Sequence, residues 1–168
     1  MTIYAVGIPL FMIAAVIDSS VFSHLRYLNG QPSLVLVLVV AWGLLNELPD
    51  SLPWAFIGGL FVDLLSVTPT GTSSLAYVLA LTILAFYVGQ IGWRNILIPP
   101  LAVIFTTVLY QVVVLTMLIV QGNSFPVFRT ILTWTIPSLV FNTLLILPMF
   151  RLMGRILDFL RPPKVGLV

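Results

Sequence analysis

Long apolar runs set the terms for this chain. Residues 3–22, 33–48, 53–67, 74–91, 96–120 and 128–150 each approach or reach the ~20 residues that a helix needs to cross a bilayer. A helix satisfies its backbone donors and acceptors internally, which is the condition for entering lipid. The run Leu34-Val35-Leu36-Val37-Leu38-Val39-Val40 would suit a buried strand by composition alone. A strand in lipid needs a closed barrel, however, and the alternating pattern of a barrel is absent. The expected fold is therefore an all-α integral membrane protein. Of its 168 residues, 60% are hydrophobic and only 7% charged, a balance that a soluble domain of this size cannot hide from water.

Punctuation along the chain divides the runs. Pro32 stands where a second helix would open, and Glu47, Pro49, Asp50 and Ser51 form a turn before Pro53 opens a third. The second and third spans are short. Thr68-Pro69-Thr70-Gly71-Thr72 has turn chemistry, with Ser73 or Ser74 placed to cap a fourth helix. Pro137 would kink the sixth. The expected organisation is a six-helix transmembrane domain over 1–150 and a short basic tail over 151–168. The first run lacks a basic leader and a cleavage site, so it reads as a retained signal anchor.

Six spans put both termini on one side. Arg151, Arg155, Arg161 and Lys164 lie in the tail and Arg94 in a loop on that side, against Arg26 and Arg129 on the other. The positive-inside rule then makes the termini cytoplasmic. A five-span arrangement, with Arg26 inside and the N-terminus outside, has a similar bias. The sequence pI of about 9.3 rests on seven Lys and Arg and does not describe a nucleic-acid surface. With no cysteine, disulfides, thiolate metal sites and cysteine nucleophiles are excluded.

Asp18 and Asp63 are the two acids inside apolar runs. Each stands about 6 Å from the end of its run, and in the six-span arrangement both ends face outward. One reading is a paired acid site for an ion or proton. The other is that each carboxylate is satisfied by a helix end, a loop or a base such as Arg26. For Asp63 a partner is at hand: the Pro69–Gly71 turn and the N-terminus of the next helix present free N–H groups to an anion. Gly58 and Gly59, in an apolar helix, read as a close-packing point rather than a phosphate loop. His24 is a lone histidine in a polar loop, and no set of side chains has metal-ligand spacing or pairs a nucleophile with a base. No cofactor is expected. In the tail, Arg151, Arg155 and Asp158 fall on one side and Leu152, Ile156 and Phe159 on another, which fits a partner, an anionic lipid surface or a topological anchor.

The stretch Gly59-Leu60-Phe61-Val62-Asp63-Leu64-Leu65-Ser66, followed by Pro69-Thr70-Gly71, resembles the signature of the rod shape-determining protein MreD family. Pro32-Ser33-Leu34-Val35-Leu36-Val37-Leu38 resembles that family's second helix, with Ser33 where Asp is frequent. Asn142-Thr143-Leu144-Leu145-Ile146-Leu147-Pro148 and the basic tail also fit. The resemblance implies a multi-pass protein of the bacterial inner membrane that serves cell elongation and cell-wall biogenesis. It implies pairing with the single-span protein MreC, and links to MreB and to a complex of RodA with a class B penicillin-binding protein. It also implies a fold similar to the substrate-binding subunits of energy-coupling factor transporters. Two functions follow: a non-enzymatic scaffold, or a vitamin-binding transporter subunit, for which the outer loops offer only a sparse polar set.

Overall fold

The computed structural model describes residues 2–22, 32–66, 69–88, 97–122 and 131–160. These residues form six α-helices and contain no strand. They are α1 (Thr2–Ile17), α2 (Leu34–Leu45), α3 (Leu48–Leu64), α4 (Thr72–Val88), α5 (Ile98–Val120) and α6 (Ile136–Leu160). A π-helical turn, Asp18–Phe22, prolongs α1, and another, Ile131–Thr135, precedes α6.

The helices are unequal, and this inequality places the site. The 23 residues of α5 measure about 35 Å, enough for the ~30 Å hydrocarbon core. α5 and the segment Thr133–Phe159 are long and apolar enough to cross a membrane by themselves, whereas Gly7–Ser20, Leu34–Leu45 and Thr72–Tyr87 are shorter apolar helices. α2, with 12 residues, is only about 18 Å long. It is apolar on every face and buried from Val35 to Trp42, the signature of a helix enclosed by others. It packs against each of the other five. The long helices turn Leu101, Val108 and Val112 on α5, and Val140 and Leu144 on α6, to the exterior.

Close approach depends on two adjacent glycines. A Cβ on Gly59 would collide with the backbone of Ser73 and Ser74, so α3 and α4 touch main chain to main chain there. A Cβ on Gly58 would stand 3.0 Å from a ring carbon of Phe11 and 3.2 Å from a methyl of Val35. At one end of the bundle Trp54 stacks on Phe11 (ring centroids 5.6 Å apart) and meets Trp42 (5.4 Å), with Gly7 beneath its ring.

Several boundaries differ from the sequence reading. The segment expected as a turn before Pro53 is already helical, because α3 starts at Leu48. Pro49 lies at the helix start, where no N–H partner exists, whereas Pro53 stands inside the helix and leaves the Pro49 carbonyl without its helical donor. α2 ends at Leu45, where the backbone and side-chain amides of Asn46 both donate to the Trp42 carbonyl. The sixth helix does not stop near residue 150. It continues to Leu160, held by buried Met153 and Leu157. Residues 89–96, where the end of the fourth helix and the Arg94 turn are expected, lie outside the described residues.

Candidate functional site

The short length of α2 leaves its N-terminus inside the bundle, where the first turn of N–H groups needs partners that water cannot supply. Every one of them has a partner. Ser33 N–H donates to Asn142 Oδ1 (2.9 Å). Leu34 N–H and Val35 N–H donate to the two oxygens of Asp18 (2.8 and 3.1 Å). Leu36 N–H donates to Ser33 Oγ (3.2 Å), and Val37 N–H makes the first helical bond, to the Ser33 carbonyl. The Ser33 hydroxyl itself donates to Asp18 (3.2 Å). Asp18, just past the end of α1, thus holds the start of α2.

Asp63 repeats the device on α4. Its carboxylate accepts from Gly71 N–H (2.7 Å) and from Ser73 N–H (3.0 and 3.2 Å to its two oxygens). Thr72 N–H and Thr72 Oγ1 both donate to the Pro69 carbonyl (3.1 and 2.8 Å). Gly71 has φ +100°, in the left-handed region that favours glycine, with open space around it, so the backbone rather than crowding selects this residue. The sequence reading assigned the cap to Ser73 or Ser74. Instead, Ser74 Oγ donates to the Phe56 carbonyl (2.9 Å) and pins α4 to α3, because a carboxylate from the preceding helix already occupies the capping position.

α5 joins the two caps. Thr107 Oγ1 accepts from Asn142 Nδ2 (3.1 Å), and three residues on, Tyr110 OH accepts from Ser73 Oγ (3.5 Å). Tyr110 stacks on Tyr77, with ring centroids 5.5 Å apart. The Tyr77 hydroxyl is fully buried and faces the Ser33 side chain without a hydrogen bond of normal geometry. The layer therefore runs from Asp18 through Ser33, Asn142 and Thr107 along α5 to Tyr110, Ser73 and Asp63. Thr107 and Tyr110 bracket the midpoint of α5, about 14–18 Å from Ile98. Both acids stand close to helix ends, as the sequence reading has them. The ends that they serve lie level with the middle of α5 rather than at the bundle's outer face.

The remaining sequence-singled residues fall elsewhere. Gly58 and Gly59 pack inside the bundle, and Pro69 belongs to the Asp63 turn. Arg151 and Arg155 are exposed near the far end of α6, remote from the layer. Arg26, His24 and Arg129 lie outside the described residues. Among the described residues no three His, Cys, Asp or Glu side chains gather as metal ligands. Tyr77, Thr107 and Tyr110 escaped the sequence reading, and Asn142 entered it only within a motif. Their signal, an isolated polar residue in an apolar helix, is weak without a partner in view.

An apolar exterior around a buried polar layer, with the N-termini of α2 and α4 satisfied from within, fits a helical membrane protein. The chain belongs to the MreD family: the model for rod shape-determining protein MreD matches residues 1–156. No curated protein and no solved structure matches it. The family is one of membrane components that determine rod shape.

Proposed function

We propose that the protein is a non-enzymatic scaffold of the bacterial elongation machinery, a six-span inner-membrane protein with both termini in the cytoplasm that binds MreC. MreB and the complex of RodA with a class B penicillin-binding protein would be reached through that contact. The fold likeness to the substrate-binding subunits of energy-coupling factor transporters is part of the same proposal and rests on the resemblance of motifs.

The observation that carries the scaffold reading is the use of the two intramembrane acids. A carboxylate in a membrane span is by default a candidate for ion or proton handling. Here Asp18 accepts three hydrogen bonds and Asp63 bonds two backbone N–H groups at a helix start. Groups committed in this way hold backbone in place. What remains for recognition is the exterior of the bundle, apolar along α5 and α6 and suited to lipid or to a partner's single helix. Co-expression with MreC and affinity capture tests the reading, with reporter fusions at Val168 and within 23–31 reporting opposite sides of the membrane. Failure to capture MreC overturns the scaffold reading, and reporters on one side overturn the six-span topology.

A further inference from the structure

The buried layer also serves as a depth gauge for the rest of the chain. Asn142 is bonded to Thr107, which lies near the midpoint of α5, so a bilayer centred on α5 puts Asn142 near its midplane. From there α6 continues through Pro148 to Leu160, so distances counted along it are upper bounds on depth. Arg151 is nine residues along (151 − 142) and Arg155 thirteen (155 − 142), or about 14 and 20 Å from the midplane at 1.5 Å per residue. The hydrocarbon core ends about 15 Å from the midplane and the headgroup layer about 20–22 Å from it. The two backbone positions thus fall at the hydrocarbon edge and within the headgroup layer, and long arginine side chains at these depths reach toward lipid phosphates.

Their surroundings suit such a ligand. Both arginines are exposed, and they sit one turn apart on the same face, a spacing at which two side chains meet one group. Neither is ion-paired among the described residues, although Asp158 stands three residues from Arg155. Asp158 is at about 24 Å, outside the headgroup layer. The opposite face of this turn is anchored to the core by Met153 (1% exposed) and Leu157 (9%), so the arginines do not roll away from the lipid. Leu152 beside them is exposed, and Phe159 beyond is 86% exposed. Guanidinium groups bind phosphate oxygens in a fork that an ammonium cannot reproduce, and apolar neighbours take up acyl chain.

We propose that Arg151, Arg155 and Leu152 form a binding site for one anionic phospholipid at the α6 end of the bundle. The test is native mass spectrometry of the purified protein titrated with phosphatidylglycerol or phosphatidylcholine in detergent. Wild type is compared with Arg151→Gln, Arg155→Gln, the double variant, and Arg161→Gln/Lys164→Gln, which removes equal charge from the tail. Wild type should prefer phosphatidylglycerol. Each single change should weaken that binding about fivefold and the pair roughly thirtyfold, with the tail variant within twofold of wild type. Both arginines are exposed, so melting in detergent should not move. The lysine pair Arg151→Lys/Arg155→Lys should retain charge but lose most of the preference. Equal binding of the two lipids by wild type overturns the proposal, as does wild-type affinity in the double variant. An equal loss in the tail variant also overturns it, since the attraction is then diffuse charge.

Discussion

Replacing Asp18 by leucine should release the start of α2 from the bundle. The carboxylate accepts from Leu34 N–H, Val35 N–H and the Ser33 hydroxyl, at a depth where water is scarce. Leucine fills comparable space and accepts nothing. A buried donor left without a partner costs about 1–3 kcal/mol, so two backbone groups amount to roughly 2–6 kcal/mol. A domain with about 5–15 kcal/mol of total stability would lose a large fraction of it. Asp18→Asn keeps one acceptor oxygen but turns an amide NH₂ toward N–H donors, so its loss should fall between wild type and leucine. Thermal unfolding in one detergent, followed by tryptophan fluorescence, orders the three proteins: Trp42 lies on α2 and reports the helix directly. Wild-type melting for Asp18→Leu would refute the reasoning, since α2 would then need no cap from α1.

Other substitutions probe the same layer and its packing. Asp63→Leu should lower folded yield and melting temperature more than Asp63→Asn, which keeps an acceptor for Gly71 or Ser73; equal stability of all three proteins would show that the turn holds without it. Gly59→Ala places a methyl against the backbone of Ser73 and Ser74 and should prevent stable folding, seen as loss of the monodisperse peak in gel filtration. Gly154→Ala meets nothing within 4 Å and gains up to about 1 kcal/mol of helix propensity, so it should melt at or above wild type. Tyr77→Phe removes a buried hydroxyl without a hydrogen-bond partner and keeps the ring on Tyr110, so it should be neutral or stabilising; a large drop in melting would mean that the hydroxyl is bonded in the membrane.

How much of this the sequence discloses depends on the range of each interaction. Helix and lipid are legible in the apolar runs because lipid admits so few backbone solutions. The Asp63 turn is also legible: acceptor and donors lie within ten residues, and Pro69 and Gly71 mark the reversal between them. Asp18 is harder, since its donors begin at Ser33, beyond a loop whose length alone does not say where the chain returns. The depth of α2 is not legible at all. Its run looks like a shortened span, and only the enclosing helices show that it stops midway and needs internal caps. Asn142 and Thr107 are separated by 35 positions and are unremarkable singly, since either would be tolerated in an apolar helix facing a neighbour. The helix over residues 151–160 is legible, since its apolar and charged residues fall on two sides and Pro162-Pro163 would end it; that it continues the sixth span is obscured by Arg151 and Arg155, which read as the end of a membrane segment.

The central claim is that the intramembrane acids build the scaffold while its exterior meets the partner. Co-purification of the protein with MreC tests it most directly, with wild type, Tyr77→Phe and Asp18→Asn taken through the same gel filtration. All three, wherever they elute as folded protein, should carry MreC in one peak, because Asp18 and Tyr77 face the interior. MreC running apart from folded wild type, or leaving folded Asp18→Asn while wild type retains it, would contradict the account.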